Sequence, residues 1–279
     1  MEKAGENFHQ PVLLRETISV LNVKKRKKYI DATIGGGGHT KEILKKGGIV
    51  LGIDCDLEAI AYANLKLKTE NLILAYGNFR NLKKIAQKNG FNKVSGILFD
   101  LGLSNWQIEK SGRGFSYLRN EPLEMRMDFH SKITAADLIN NLSKEELNEI
   151  FSKFGEEINS WPIANAIVSA RPIVTTQELT WVIGEDKKQL ARVFQALRIV
   201  VNDELNNLKK ALTQAITLLE KKGRLVVISF HSLEDRIVKL TFKNKQLKPI
   251  VKKPIRPGKE EIKVNVRARS ARLRVAERI

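Results

Sequence analysis

A run of four glycines joins a short apolar segment to a predicted helix. In YIDATIGGGGHT (29–40) the apolar residues predict a β-strand, and the helix is expected from about His39. Glycines at such a junction permit a tight turn and let the backbone approach a ligand at the helix N-terminus. Gly35 and Gly37 fit a dinucleotide fingerprint, but Thr40 occupies its third glycine position, and a P-loop Gly-Lys-Ser/Thr is absent. The motif therefore predicts a cofactor-binding turn, with a plain structural turn as the alternative.

Asp54 supplies a hydrogen-bond acceptor about sixteen residues after these glycines. It ends the apolar segment Ile49–Asp54, which is typical of a buried parallel strand. A carboxylate at the C-terminal end of such a strand can accept both hydroxyls of a ribose. NAD and S-adenosylmethionine both contain a ribose with these two hydroxyls, so the glycine turn and Asp54 do not distinguish between the two cofactors. Asp56 fits a helix cap better, and Cys55 is expected to pack on the other side of the strand.

The segment FDLGLSNWQ (99–107) ends the fourth predicted strand, where open α/β sheets place their chemistry. Asp100 can accept a hydrogen bond from a cofactor amine or from the amino group of an incoming base. Gly102 leaves room for a ring, and the hydroxyl of Ser104 can donate or accept. The alternative interpretation is an ordinary turn from strand to loop.

His231 and Ser232 follow another predicted strand, Leu225–Ile228, and are expected at the same edge of the sheet. His231 can orient a base or shuttle a proton, since its pKa ordinarily lies near neutrality. A structural histidine with satisfied hydrogen bonds is an equally good interpretation. Glu234 and Asp235 begin the next helix, where acids are common for electrostatic reasons alone.

The elements that must position these residues alternate between strand and helix over the first hundred residues. This alternation predicts a parallel sheet covered on both faces, and therefore an α/β fold. Arg272–Val275 is predicted as a last edge strand. The first four strands are predicted at Tyr29–Thr33, Ile49–Asp54, Leu72–Tyr76 and Ile97–Leu101.

A helical region interrupts this pattern. Residues 102–130 are irregular, and only helical patterns follow, including a capping box at Ser143-Lys-Glu-Glu146. The last helix carries an apolar stripe that is expected to end at Gly223. Trp161 and Trp181 are interpreted as core residues of this region. The simplest organisation is one α/β domain, 1–104 plus 214–279, interrupted by a helical domain over 105–213.

The charge of the chain favours a polyanionic partner. Its 279 residues contain 49 lysines and arginines against 31 acids, a net charge of +18. Fifteen basic residues and three acids lie between Arg236 and Arg278, and Lys24–Lys28 forms a second patch. Neutralised phosphates release counterions, so such patches are typical of nucleic-acid binding. A generally basic, solvated surface is the alternative.

Other classes of protein are disfavoured by composition. The single cysteine, Cys55, predicts neither an internal disulfide framework nor a cysteine-rich metal site. No apolar run reaches eighteen residues and no signal segment opens the chain, so we expect neither a membrane span nor secretion. A cytoplasmic protein without a metal is the expectation.

Together the motifs resemble the bacterial 16S rRNA cytosine-N4 methyltransferase family, in order and over residues 9–278. SFHSLEDR and PLEMRMD are the most specific of them, whereas the glycine turn is not specific. The segments that carry the resemblance are HQPVLL (9–14), DATIGGGGHT (31–40), GIDCD (52–56), DLGLS (100–104), RGFS (113–116), PLEMRMD (122–128), FQALRIVVN (194–202), GRLVVISFHSLEDR (223–236) and RARSARLRVAER (267–278).

The resemblance implies a Rossmann-like, class I S-adenosylmethionine methyltransferase sheet with an inserted helical domain. It also implies a cytosine of the 16S rRNA decoding centre, within the small ribosomal subunit, as substrate. Phe79 would stack near the adenine, although a core aromatic is the better interpretation from the sequence alone. Either a monomer or a homodimer is compatible with the chain. Carried over by motif, the S-adenosylmethionine contacts are Gly37, Gly38, His39, Asp54, Phe79, Asp100 and Gln107.

A cytosine amino group is a poor nucleophile because its lone pair is delocalised into the ring. The enzyme must therefore hold the nitrogen in line and accept hydrogen bonds from its N–H groups. Asp100, Ser104 and His231 are the candidate catalytic residues. We expect the target base to be unstacked from its neighbours, as in single-stranded RNA or a loop. Arginines 113, 119 and 126 are candidates for phosphate contacts, with at least one expected in an internal salt bridge.

The residues leave three alternatives to this function. An NAD-dependent oxidoreductase should carry the third fingerprint glycine and a Tyr-Lys proton relay, which are absent from the sequence. A non-catalytic RNA-binding protein on a methyltransferase fold would not need the glycine turn, Asp54 and DLGLS together. A methyltransferase of another RNA site is the third.

Overall fold

The computed structural model describes residues 11–279, so His9 and Gln10 lie outside the described residues. The described chain forms two compact units. The first contains the residues up to Ser104 together with Leu205–Ile279, and the second is Asn105–Glu204. The sequence-derived boundary between 213 and 214 falls inside the helix Glu204–Leu218.

A seven-stranded sheet organises the first unit. The first five strands are parallel, and the last two pair antiparallel to their neighbours. The strand order is β3-β2-β1-β4-β5-β7-β6. The strands are β1 (Lys28–Asp31), β2 (Ile49–Asp54), β3 (Leu72–Tyr76), β4 (Val94–Asp100), β5 (Leu219–Ser229), β6 (Leu247–Pro249) and β7 (Arg272–Arg278).

Helices complete this unit. Successive strand residues face opposite sides of a sheet, and Leu98 and Phe99 accordingly join two different apolar clusters. Both faces are therefore buried, as the near-continuous apolar strands predict. The α/β fold class is confirmed. The helices are α1 (Leu14–Leu21), α2 (Gly38–Lys45), α3 (Leu57–Lys66), α4 (Leu82–Lys88), α11 (Glu204–Leu218), α12 (Ser232–Thr241) and α13 (Lys259–Val264).

Two sequence expectations about this sheet are wrong. The last strand is not at the edge, because β7 lies between β5 and the three-residue β6, whose Pro249 weakens any strand signal. The long helix also does not continue to Gly223. It ends at Leu218, and β5 begins directly at Leu219 with an irregular pairing to β4 before the regular ladder from Arg224.

The second unit is helical. The capping box at Ser143 and Glu146 is confirmed, since each side chain accepts a hydrogen bond from the other residue's backbone N–H. Phe151 and Phe194 lie on buried helix faces of this unit. Its helices are α5 (Asn105–Glu109), α6 (Ala135–Asn141), α7 (Lys144–Gly155), α8 (Ser160–Ser169), α9 (Thr176–Ile183) and α10 (Lys187–Val201).

The two tryptophans interpreted as core residues of the insert are instead exposed. Trp161 is 47% and Trp181 71% accessible to solvent. The buried positions of α8 are Ser160, Ile163, Ala164 and Ile167. Trp161 is not among them, and the Lys144 ammonium lies 4.6 Å from its ring centroid. Among residues 11–279, no helix combines the length and the apolar character needed to cross a bilayer.

Candidate active site

The C-terminal ends of β1, β2 and β4 bring the sequence-predicted acids and the glycine turn together. The Gly35 N–H donates a hydrogen bond to Asp54 Oδ2 at 2.9 Å. The Asp100 N–H donates to Thr33 Oγ1 at 2.7 Å. Because β1 pairs with both β2 and β4, the turn that follows it lies between the two acids.

The glycine turn has a backbone that requires glycine. Gly35 and Gly37 have φ angles of 47° and 75°, in the left-handed region that side chains disfavour. Gly37 precedes α2, whose N-terminal N–H groups point back at the turn. A Cβ on Gly35 would come no closer to another residue than 3.9 Å, to the Thr33 carbonyl oxygen, so this part of the turn is open. The turn thus holds the Asp54 carboxylate through the Gly35 N–H, with the N-terminus of α2 beside it.

Asp54 is held in a fixed orientation by backbone donors. Its Oδ1 accepts the Asp56 N–H at 3.0 Å, while Oδ2 accepts that of Gly35. Burial raises the pKa of Asp54 to about 6, and these two hydrogen bonds only partly offset it. Asp56 caps α3 by accepting the Glu58 N–H at 3.1 Å, as the sequence predicted.

Asp100 faces a buried histidine. The Nδ1 atom of His39 lies 3.6 Å from Asp100 Oδ2, and its Nε2 atom lies 3.2 Å from the Val12 carbonyl oxygen. His39 therefore connects the end of β4 to the segment before α1. Thr33 and Val12 contact two of the predicted site residues but were not predicted themselves, although both lie in segments that carry the family resemblance.

The ends of β4 and β5 are joined by backbone contacts. The Leu101 N–H donates to the Ile228 carbonyl at 3.0 Å. Gly102 has a φ of 103°, and a Cβ there would lie 3.2 Å from the Phe230 ring. The loop after Asp100 thus packs closely on the residue before His231. Ser104 is the last residue of this unit before the helical region.

His231 caps the helix that follows β5. Its Nδ1 accepts the Glu234 N–H at 3.5 Å, and its Nε2 lies 3.3 Å from Glu234 Oε1. Glu234 in turn accepts the N–H groups of Phe230 and His231. These contacts form a capping box and support the structural interpretation of His231.

Phe79 and Gln107 belong to different units. Phe79 follows β3, is partly buried, and packs edge-on against Phe99 with ring centroids 5.8 Å apart. Gln107 is buried in α5 of the second unit, where its backbone carbonyl oxygen accepts a hydrogen bond from the Ser111 hydroxyl at 2.6 Å. Their roles as cofactor contacts stay predictions.

The three candidate phosphate-binding arginines differ in their surroundings. Arg113 is buried and donates to the carbonyls of Arg126 and Met127, each at 3.2 Å. Arg126 is paired with Glu124, so the expectation of an internal salt bridge is confirmed. Arg119 is exposed. Arg119 is therefore the only exposed arginine of the three.

The chemistry of this edge fits S-adenosylmethionine. The Asp54 carboxylate, which can accept the two hydroxyls of a ribose, lies beside the glycine turn at the N-terminus of α2, and backbone hydrogen bonds hold it there. The strand order, with an antiparallel strand inserted beside β5, agrees with the methyltransferase sheet that the family resemblance implies. The fold and the site define an S-adenosylmethionine-dependent methyltransferase.

The chain belongs to the MraW methylase family, whose sequence pattern matches residues 6–279. It is 45% identical to the ribosomal RNA small subunit methyltransferase H of Halothermothrix orenii, over 97% of this chain and 98% of that protein. It is 42% identical to the protein of the same name from Carboxydothermus hydrogenoformans, over 98% of this chain and 99% of that protein.

Solved structures with a similar path include a putative rRNA methylase from Clostridium thermocellum. That similarity has a TM-score of 0.48 at 15% identity, covering 99% of this chain and all of the other. An rRNA methylase from Streptococcus thermophilus gives a TM-score of 0.46 at 12% identity, covering 96% and 92% of the two chains.

Proposed function

We propose that this protein methylates the exocyclic N4 amino group of a cytosine in the 16S rRNA decoding centre, within the small ribosomal subunit. The convergence of Asp54, the glycine turn and Asp100 at one edge of the sheet carries the proposal. The names of the relatives support the choice of small-subunit rRNA as the substrate. The reaction would take place in the cytoplasm, where that subunit is assembled.

The cofactor would lie along the C-terminal ends of the strands. Asp54 would accept the ribose hydroxyls, and the backbone around Gly37 and Gly38 would face the methionine portion. Phe79 follows β3, the strand next to β2, and would stack near the adenine of the cofactor. His39, Asp100 and Gln107 complete the proposed set of contacts.

S-adenosylmethionine supplies an electrophilic methyl group. The protein must make the cytosine nitrogen nucleophilic, and Asp100 is the proposed group for this task. Its carboxylate would accept a hydrogen bond from the amino N–H, which increases the electron density on nitrogen and fixes its direction. The Ser104 hydroxyl would accept the second N–H. Because the proton can leave after the nitrogen has attacked, passing to the Asp100 carboxylate that already accepts it in a hydrogen bond, no strong base is needed.

His231 would take part as a residue that positions the loop. Its side chain holds Glu234, and Glu234 accepts the Phe230 N–H at 2.8 Å. Phe230 packs against Gly102 in the loop that follows Asp100. This chain of contacts would keep the loop between Asp100 and Ser104 in place for the incoming base.

The two compact units support a further part of the proposal, the division into a discontinuous methyltransferase domain and an inserted helical domain. In the division proposed from the sequence, the first domain is 1–104 with 214–279 and the insert is 105–213. Exposed aromatic residues such as Trp161 and Trp181 give the insert surface groups on which RNA bases can stack.

The test is transfer of labelled methyl from S-adenosylmethionine to small ribosomal subunits from a strain that lacks this enzyme, followed by nucleoside analysis. We expect the label in N4-methylcytidine. Asp100→Asn should abolish transfer while S-adenosylmethionine binding, measured by calorimetry, is weakened far less. Asp56→Asn is the matched control, because asparagine also caps helices and transfer should persist.

The outcomes separate the rival functions. Label in another nucleoside would keep the methyltransferase and reject the cytosine. Binding of S-adenosylmethionine with no transfer to subunits or to naked 16S rRNA would favour a non-catalytic RNA-binding protein. Full activity of Asp100→Asn would reject the proposed role of that carboxylate.

A further inference from the structure

The segment between β6 and β7 reaches the edge of the sheet that carries the candidate site. Because β7 is antiparallel to β5, its first residue, Arg272, pairs with Ser229 at the C-terminal end of β5. Ile255 already pairs with Leu273, one residue further along β7. Both ends of residues 256–271 therefore lie at the sheet edge that carries Asp100, which pairs with Ile228 of β5.

This segment is fixed to residues that border the site. Glu261 Oε1 accepts the Leu13 N–H at 2.7 Å. Ala268 and Ala271 are buried in the apolar cluster that also contains Val12 and Leu13. The Val12 carbonyl oxygen is the atom that lies 3.2 Å from the His39 ring. The segment is thus seated beside the histidine that faces Asp100.

The exposed side of the segment is strongly basic. Residues 252–269, here called the C-terminal basic segment, contain seven basic residues and two acids. Of the acids, Glu261 is engaged by Leu13 and Glu260 by Lys263 at 2.9 Å. The basic residues that are exposed are Lys252, Lys253, Arg256, Lys259, Lys263, Arg267 and Arg269.

The other basic block lies at the opposite edge of the sheet. Lys24–Lys28 leads into the N-terminal end of β1, whereas the site lies at the C-terminal ends of the strands. Lys28 donates to the Gly90 carbonyl at 2.7 Å, and Lys27 lies 3.6 Å from Glu220. From the sequence alone, both basic patches are predicted to form one nucleic-acid-binding surface. They lie at opposite edges of the sheet, and only the C-terminal patch adjoins the site.

We propose that the C-terminal basic segment binds the phosphates of the single RNA strand next to the target base, and so sets the register in which that base reaches Asp100. The inference rests on the proposed function. Phosphate contacts of this kind position a nucleic acid without reading its sequence. A strand splayed away from its duplex presents phosphates on both sides of the extruded base, which suits a charged ridge at the rim of the site.

Two charge-matched variants test this proposal. The first is Arg256→Gln/Lys259→Gln/Arg269→Gln, in the segment. The second is Lys24→Gln/Lys25→Gln/Arg26→Gln, at the opposite edge. Each removes three exposed positive charges from the full-length enzyme. The Kd for an RNA oligonucleotide of the decoding region is measured by fluorescence anisotropy between about 0.05 and 0.3 M salt, together with KM, kcat and the Kd for S-adenosylmethionine.

The segment variant should lose about two units of the slope of log Kd against log salt, since each lost contact to a single strand is worth about 0.7. If affinities converge near 1 M salt, this is roughly a fiftyfold weaker Kd at about 0.15 M. KM should rise in parallel, with kcat and S-adenosylmethionine binding unchanged. The opposite-edge variant should change the RNA Kd by less than about threefold.

An equal loss of RNA affinity in both variants would overturn the proposal, because net charge alone would then explain binding. Unchanged RNA affinity in both variants would show that the segment does not bind RNA. Preserved S-adenosylmethionine affinity shows that each variant is folded. Anisotropy reports binding even if the unmodified enzyme fails to methylate cytosine. A failure of the proposed function is therefore distinguishable from a failure of this inference.

Discussion

Replacing the charge of Asp54 with an amide should change stability and cofactor binding in opposite ways. Burial raises the pKa of Asp54 from 3.8 to about 6, which corresponds to about 3 kcal/mol. Because the pKa is higher in the folded state, the folded protein binds the proton more tightly. This contribution to stability is full below pH ~4 and is lost as the pH rises through about 6.

Asp54→Asn removes that titration. The free energy of unfolding of the wild type, relative to the variant, should therefore fall by up to ~3 kcal/mol between pH ~4 and pH ~7. The absolute gain at neutral pH should be smaller, because an amide can accept only one of the two backbone N–H groups that Asp54 now accepts. Urea unfolding of both proteins across this range measures the difference.

Cofactor affinity should move the other way. A hydrogen bond to a charged group is worth about 1.5–3 kcal/mol, so losing one ribose contact should weaken S-adenosylmethionine binding roughly 10- to 150-fold at pH ~8. With a pKa of about 6, only about a tenth of Asp54 is ionised at pH ~5. Wild-type affinity should therefore drop about tenfold from pH ~8 to pH ~5, and the variant should show no such dependence.

Calorimetric titration with S-adenosylmethionine at several pH values provides the measurement, with Asp56→Asn as the control that keeps its helix cap. Wild-type affinity in Asp54→Asn would refute the role of this carboxylate as the ribose acceptor. If the difference in free energy of unfolding between the wild type and Asp54→Asn did not change with pH, the raised pKa of Asp54 would be refuted. This would hold even if the variant had lost cofactor binding.

Further predictions concern stability, measured by urea unfolding. Asp235→Ala should lower the free energy of unfolding by ~3 kcal/mol, because the Asp235 side chain is 12% exposed and pairs with Arg274 at 2.6 Å. Burial alone would raise the pKa of Asp235, but the arginine contacts outweigh it and lower the pKa, so the part of this stabilisation that depends on the ionised carboxylate should be lost as the pH falls through that lowered pKa. Gly114→Ala should cost more than Gly184→Ala, by at least ~2 kcal/mol, since both have positive φ but only at Gly114 would a Cβ overlap a backbone carbonyl oxygen. Ser143→Ala should cost ~1 kcal/mol through loss of its capping hydrogen bond.

The sequence predicted the site edge well because strand ends carry strong local signals. Apolar runs that end in Asp54 and Asp100 place two carboxylates at one edge once the strands are parallel, and this needs no knowledge of side-chain contacts. The capping box at Ser143 and Glu146 follows equally from local spacing. The roles of the individual site residues are not tested by these observations and stay proposals.

Other features depended on contacts that local patterns do not contain. Arg113 is buried because carbonyl oxygens and the ring of Phe129 surround its guanidinium, and an arginine in a loop gives no sign of this in sequence. Trp161 and Trp181 are exposed although large aromatics favour burial, because other residues of α8 and α9 fill the interior. The position of β7 inside the sheet required β6, which is too short to recognise.

The pairing of β4 with β5 has a consequence for biosynthesis. During translation β4 leaves the ribosome with Asp100, but its partner begins only at Leu219. At roughly 5–20 residues per second, the edge of β4 waits roughly 6–24 s for that partner. The intervening helical unit has its own core and can fold during this interval. The nascent chain therefore passes through a state with a half-built apolar sheet, open at one edge, which makes its yield sensitive to chaperones and to the speed of translation.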